Sequence, residues 1–175
     1  MSKRLIILSD LWGKEKSNWL INYTSVLNSE FDITFYDSCD LGGINKSEYT
    51  IENIHNQFVN GGIEKAVKTL IYEEKKPVNI LAFSIGGTIA WKFGIKSNYI
   101  KSLICVSSTR LRKESILPNG DIHLFFGEND PFKPDLVWSD KISVNYHIIN
   151  GKDHEVYREK SFAEMINTRI LNSFT

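Results

Sequence analysis

The chain reads as an α/β protein, with a three-layer α/β/α arrangement around a six-stranded parallel sheet. Two observations predict this. Six short apolar runs, each ended by small or polar residues, have the length and composition of buried strands. Segments with apolar residues at helical spacing lie between several of them. Strands alternating with helices imply right-handed crossovers, hence parallel neighbours with both sheet faces covered.

The first run, Leu5-Ile6-Ile7-Leu8-Ser9, is a buried strand closed by Ser9-Asp10-Leu11-Trp12-Gly13. Ser17 to Asn28 carries Trp19, Leu20, Tyr23, Val26 and Leu27, a stripe expected to face the core. Ile33-Thr34-Phe35-Tyr36 is the second strand, rich in β-branched and aromatic residues. A long polar connection with Leu41-Gly42-Gly43 follows, and Thr50 to Val59 reads as a short helix. Gly61-Gly62 breaks the chain. Ile63, Ala66, Val67, Leu70 and Ile71 then mark an amphipathic helix that ends before Pro77.

Val78 to Phe83 is the third strand, and its helix runs to about Lys96 with Ile85, Ile89, Ala90 and Phe93 inward. Leu103 to Val106 is the fourth strand, Ile122 to Phe126 the fifth and Val144 to Ile149 the sixth. A last helix, Arg158 to Leu171, presents Phe162, Met165, Ile166 and Ile170. With no repeat, low-complexity tract or linker, residues 1–175 are expected to form a single domain.

Composition narrows the function. Apolar residues make up 42% and charged residues 24%, an ordinary globular balance. Lys+Arg and Asp+Glu both number 21, so no net charge favours nucleic acid. The apolar run after Lys3-Arg4 is too short for a signal peptide or a membrane span, and a cytoplasmic location is expected. Cys39 and Cys105 have no metal-ligand spacing and read as core or strand-end residues.

The chemistry centres on Val78-Asn79-Ile80-Leu81-Ala82-Phe83-Ser84-Ile85-Gly86-Gly87. A buried strand stops at Ser84 and a helix begins at once, which throws the hydroxyl off the carboxyl edge of the sheet. The pattern Ala82-x-Ser84-x-Gly86 is that of a nucleophile elbow, whereas the plainer reading is a Ser-Gly cap on a βα turn. Ligands of open α/β sheets bind at that edge. Asp130 follows strand five and His154 follows strand six, so Ser, Asp and His lie on loops of one edge in that chain order. His123 and His147 fall inside strands and His55 on a helix, where structural roles are expected. Glu128 and Asp153 compete with Asp130 for the acid position.

These pieces together resemble the α/β-hydrolase superfamily: the elbow A-F-S-I-G-G, the acid turn F-G-E-N-D-P-F and the terminal G-K-D-H. The resemblance runs nearly the whole length, without the family's two leading antiparallel strands. It implies a trimmed, lidless α/β-hydrolase fold with strand order 2-1-3-4-5-6. Cys39 and Cys105 would then lie roughly 14 Å apart at ~4.8 Å per strand, too far for a disulfide. It also implies Ser84 as nucleophile, His154 as base and Asp130, which closes the G-x-x-D turn, as the acid. The oxyanion donors become the N–H groups of Ile85 and of Leu11, with Trp12 as the alternative to Leu11. No cofactor or metal is implied. The substrate would be a small-molecule or carrier-linked acyl ester or thioester, and the protein a monomer or homodimer without nucleic-acid or membrane partners.

Two motifs depart from the family pattern. Ala82 replaces the first elbow glycine, and Ser9-Asp10 stands where His-Gly is usual. A carboxylate at Asp10 either points away or repels the developing oxyanion, and in the second case a ligand- or partner-binding module becomes the rival reading. Between strands four and five, Ser107 to Asp121 is too short for a helical lid. That segment holds Arg110 and Arg112, either solvated or binding an anionic substrate group. Trp12, Phe83 and Phe132 are candidates for an acyl pocket or for packing.

Overall fold

The computed structural model describes residues 3–175. In chain order its elements are β1 (Lys3–Leu8), α1 (Ile21–Leu27), β2 (Phe31–Tyr36), α2 (Ser38–Gly42), α3 (Ile51–Gln57) and α4 (Ile63–Glu73). There follow β3 (Val78–Phe83), α5 (Ile85–Ser97), β4 (Ile100–Val106), β5 (Asp121–Gly127), α6 (Leu136–Ile142), β6 (Asn145–Ile149) and α7 (Lys160–Ser173). All strand pairs are parallel, in the order β2-β1-β3-β4-β5-β6. The order reverses between β1 and β3, so the crevice at their carboxyl ends is where this architecture places a ligand.

Alternation along the strands builds two cores. Ile6, Leu8, Ile80, Ala82, Leu103 and Cys105 face α3, α4 and α5. Leu5, Ile7, Leu81, Phe83, Ile104 and Val106 face α1 and α7. Every residue of β3 is buried, which explains an apolar run without polar alternation. Ile85, Ile89, Ala90 and Phe93 are buried as expected, and Trp91 with them.

The structure corrects several readings. The supposed polar connection after β2 contains α2, and Cys39 lies in it rather than at a strand end. Asp37 caps this helix by accepting from the N–H groups of Cys39 and Asp40, and Gly43 ends it with φ 61°. Helix α6 is an additional element, capped by Asp135 and closed by Ser143 at φ 62°. Val26 and Met165 are exposed, not core-facing. A 3-10 turn at Asn18–Leu20 precedes α1 and shifts the phase of its stripe, which turns Val26 outward. In α7 the buried positions are Phe162, Ala163, Ile166, Asn167 and Ile170, with Met165 beside that stripe. Both cysteines are free. Between β4 and β5 there is only a 3-10 turn, Thr109–Lys113.

Candidate active site

Ser84 links β3 to α5 at φ 50° and ψ −119°, a conformation that L-residues rarely adopt. The strain is imposed from both sides. Its N–H donates to the Val106 carbonyl at 2.7 Å, which ties the turn to β4, while α5 begins on the very next residue. Two glycines make room. A Cβ at Gly86 would lie 2.5 Å from the Ser9 carbonyl oxygen and 2.9 Å from that of Leu8. One at Gly87 would lie 1.8 Å from Ser108 Oγ. The helix therefore starts almost on top of β1 and β4, and Ala82 near the end of β3 is fully buried.

His154 comes from the loop after β6. Its carbonyl accepts from Ser107 Oγ at 2.6 Å, and Asn129 N–H donates to Lys152 O at 2.8 Å. Gly127 lets this loop cross the end of β5, since a Cβ there would meet Asp153 O and Lys152 O at 2.4 Å. Ser84 Oγ stands 3.1 Å from His154 Nε2, and His154 Nδ1 stands 2.7 Å from Asp130 Oδ2. Asp130 is 1% exposed, and its other oxygen accepts from Phe132 N–H. A carboxylate accepts only, so Nδ1 carries the proton and Nε2 is free to accept from the serine hydroxyl. The competitors are engaged elsewhere. Glu128 Oε2 accepts from Gly151 N–H and Asp153 Oδ1 from Glu155 N–H.

The loop after β1 is held from two sides. Ser9 Oγ accepts from Ser38 N–H, Ser9 O accepts from Ser38 Oγ, and Leu11 O accepts from Cys39 Sγ. Burial pushes the Cys39 thiol up to about 12, so it stays a protonated donor. On the other side lies Asp10, with no exposed surface. Its Oδ1 accepts from Trp12 N–H at 3.0 Å, and its Oδ2 accepts from Tyr157 OH at 2.9 Å. Arg158 lies 3.7 Å from the same Oδ2. Burial raises Asp10 above the usual carboxylate range, and the bonds from Tyr157 and Trp12 offset part of that rise. Burial and the Asp10 charge likewise raise Tyr157, which remains a donor.

A cavity of about 50 Å³ lies beside Ser84 and is lined by Leu11 and Ile85 among others. Ile85 N–H, first in α5, has no intrahelical acceptor, and Leu11 N–H donates to no group among the described residues. A larger hollow of about 660 Å³, lined by Lys14, Glu15, Asp37 and Asp40, contains none of these residues. Among the described residues no cluster of His, Cys, Asp and Glu is arranged to hold a metal ion, and no helix is long and apolar enough to cross a membrane.

No protein-family model and no curated protein sequence matches this chain. Solved structures do. A protein of Xanthomonas campestris pv. campestris, assigned as a hydrolase of the alpha/beta superfamily, superposes with a TM-score of 0.64 at 16% identity, over 99% of this chain and 100% of its own. Carboxylesterase CesB of Bacillus subtilis gives 0.64 at 12% identity, over 98% and 83%. The mouse alpha/beta hydrolase domain-containing protein 10 gives 0.67 at 14% identity, over 98% and 89%. The chain has the α/β-hydrolase fold. Its similarity to hydrolases and esterases lies in architecture, at identities that leave substrate and mechanism open.

Within this α/β-hydrolase fold the sequence-predicted residues fall into three groups. Ser84, His154 and Asp130 form one hydrogen-bonded chain, with Ile85 and Leu11 against the adjoining cavity. Arg110 lines that cavity too. Trp12 does not: its ring packs edge-on to Tyr49 beneath Lys16 Nζ, and its N–H is taken by Asp10. Phe83 is buried among Trp19, Tyr23 and Tyr157, while Phe132 is exposed. Of the strand histidines, His123 Nδ1 and His147 Nε2 lie 3.0 Å apart, whereas His55 is exposed at the cavity. Tyr157 and Cys39 also support this site, and nothing local in the sequence points either side chain at the Asp10 loop.

Proposed function

We propose that the protein is a serine hydrolase that cleaves a carboxylic ester or thioester through an acyl-enzyme. The observation that carries this reading is the continuous chain Ser84 Oγ–His154 Nε2 at 3.1 Å and His154 Nδ1–Asp130 Oδ2 at 2.7 Å, mounted on a strained turn. In the proposed mechanism His154 Nε2 takes the Ser84 proton as Oγ attacks the acyl carbon. The carbonyl π electrons move to oxygen, giving an oxyanion that Ile85 N–H and Leu11 N–H stabilise. Collapse breaks the bond to the leaving alcohol or thiol, which receives the proton from His154. Water repeats the sequence on the acyl-Ser84, releasing a carboxylic acid and restoring the serine. Asp130 holds the imidazole tautomer and opposes the charge of the imidazolium.

Asp10 does not speak for the rival binding-module reading, because both of its oxygens already accept from Trp12 and Tyr157. The test is pre-steady-state hydrolysis of 4-nitrophenyl acetate with mass analysis of the quenched protein. The reading predicts a burst of 4-nitrophenol and an acetyl group on the peptide containing Ser84. Linear release at the rate of Ser84→Ala, with no acetylated serine, would contradict it.

A further inference from the structure

The space beside Ser84 bears on the acyl group. About 50 Å³ admits roughly three to five non-hydrogen atoms, at ~10–15 Å³ for each water-sized group. A long hydrocarbon chain would have to extend beyond this space. The walls run from buried Phe58 and Thr88 to half-buried Arg110 and exposed His55.

Arg110 has no acidic side chain within 4.0 Å among the described residues. The two carboxylates that line an adjoining cavity with it are engaged by lysines: Glu64 by Lys96 at 2.8 Å and Glu114 by Lys92 at 3.1 Å. Arg112 and Lys113 follow in the same 3-10 turn. Burial, and then the charges of Arg110, Arg112 and Lys113, hold His55 below its ordinary range, so it is neutral at pH 7 and leaves the cationic character to the arginines and the lysine. The carboxylates nearest the reacting groups are committed, Asp130 to His154 and Asp10 to Tyr157.

We infer that the cavity selects a short acyl group ending in an anion, with Arg110 as its counter-ion. The substrate class is a half-ester or half-thioester of a short dicarboxylic acid. A succinyl group places two methylenes and a carboxylate beyond the scissile carbonyl, five non-hydrogen atoms, which is the upper limit of the space. The inference rests on the acyl-transfer reading above. A guanidinium in a partly buried wall is suited to it, since a hydrogen bond to a charged group is worth about 1.5–3 kcal/mol, or ~10–150-fold.

The test compares kcat/KM for monoethyl succinate, ethyl butyrate and ethyl octanoate by pH-stat, in wild type, Arg110→Gln and Arg110→Lys. Wild type is expected to prefer the succinate half-ester over ethyl butyrate at least tenfold and to discriminate against the octanoate. Arg110→Gln should reduce that preference 10–100-fold, and Arg110→Lys should restore part of it. Equal use of the two C4 esters, or equal losses on both in Arg110→Gln, would overturn the inference. If a fluorophosphonate labels Ser84 while no charge preference appears, this inference fails and acyl transfer stands. If Ser84 is not labelled and no ester is cleaved, both fail.

Discussion

The backbone at Ser84 allows strain to be separated from chemistry. With φ 50° and ψ −119°, a residue bearing a Cβ is held in a sparsely populated region at a cost of about 1–3 kcal/mol. Ser84→Ala and Ser84→Gly both remove the hydroxyl and its contact with His154, but only glycine relieves the strain. Glycine also loses more chain entropy on folding, about 0.5–1 kcal/mol relative to alanine. The difference leaves Ser84→Gly more stable than Ser84→Ala by about 1 kcal/mol. In a chain of 175 residues that is a Tm higher by ~2–4 °C. This reverses the usual order of the two substitutions in ordered structure. Thermal unfolding followed by circular dichroism, on the two purified variants side by side, measures it. Ser84→Gly melting below Ser84→Ala would refute the strain argument.

The neighbouring contacts carry further predictions. Gly86→Ala forces a methyl against two carbonyl oxygens of the β1 end, at 2.5 and 2.9 Å. Backbone must move, so urea unfolding should report a loss of about 1–3 kcal/mol, and esterase activity should fall with it because the Leu11 loop shifts. Tyr157→Phe strips the donor from Asp10 Oδ2 and should destabilise the fold by about 1–3 kcal/mol. If the Leu11 N–H serves as proposed, its steady-state kinetics should show a lower kcat at nearly constant KM, since Tyr157 steadies the loop after β1 through Asp10. Asp10, raised above the usual range by burial, penalises the fold at pH values above its folded pKa. That penalty fades as pH falls from the folded value toward the ordinary 3.8. The Tm of Asp10→Asn minus that of wild type should therefore be greatest near neutrality and shrink on acidification; a difference that grows would reverse the assigned sign.

Much of the fold is legible in the sequence because each strand is a short, mostly apolar segment with an abrupt end. A buried parallel strand needs no alternation, and Val78–Phe83, Leu103–Val106 and Ile122–Phe126 show that signature plainly. Helices α2 and α6 are not legible in that way. Each spans fewer than two turns, and α6 exposes Leu136 and Val137, so no apolar stripe marks it. Their signals are the capping residues Asp37 with Gly43 and Asp135 with Ser143, which also fit ordinary turns. The Ser84, Asp130 and His154 arrangement is readable because each residue lies in the turn or loop that follows a strand of one sheet, and the parallel topology brings those ends together. The support of the loop after β1 is not. Tyr157 reaches Asp10 across 147 positions of chain, and Cys39 reaches Leu11 from a helix that the sequence did not announce. Side-chain contacts between separate loops depend on the packed tertiary structure, which strand and helix periodicity does not encode.

Labelling with a fluorophosphonate followed by intact-mass analysis tests the central claim most directly, on wild type, Ser84→Ala and His154→Ala. The account predicts one adduct on wild type, carried by Ser84, none on Ser84→Ala and at most slow labelling of His154→Ala. A folded wild-type protein that takes no adduct, or one labelled equally well without His154, would contradict it.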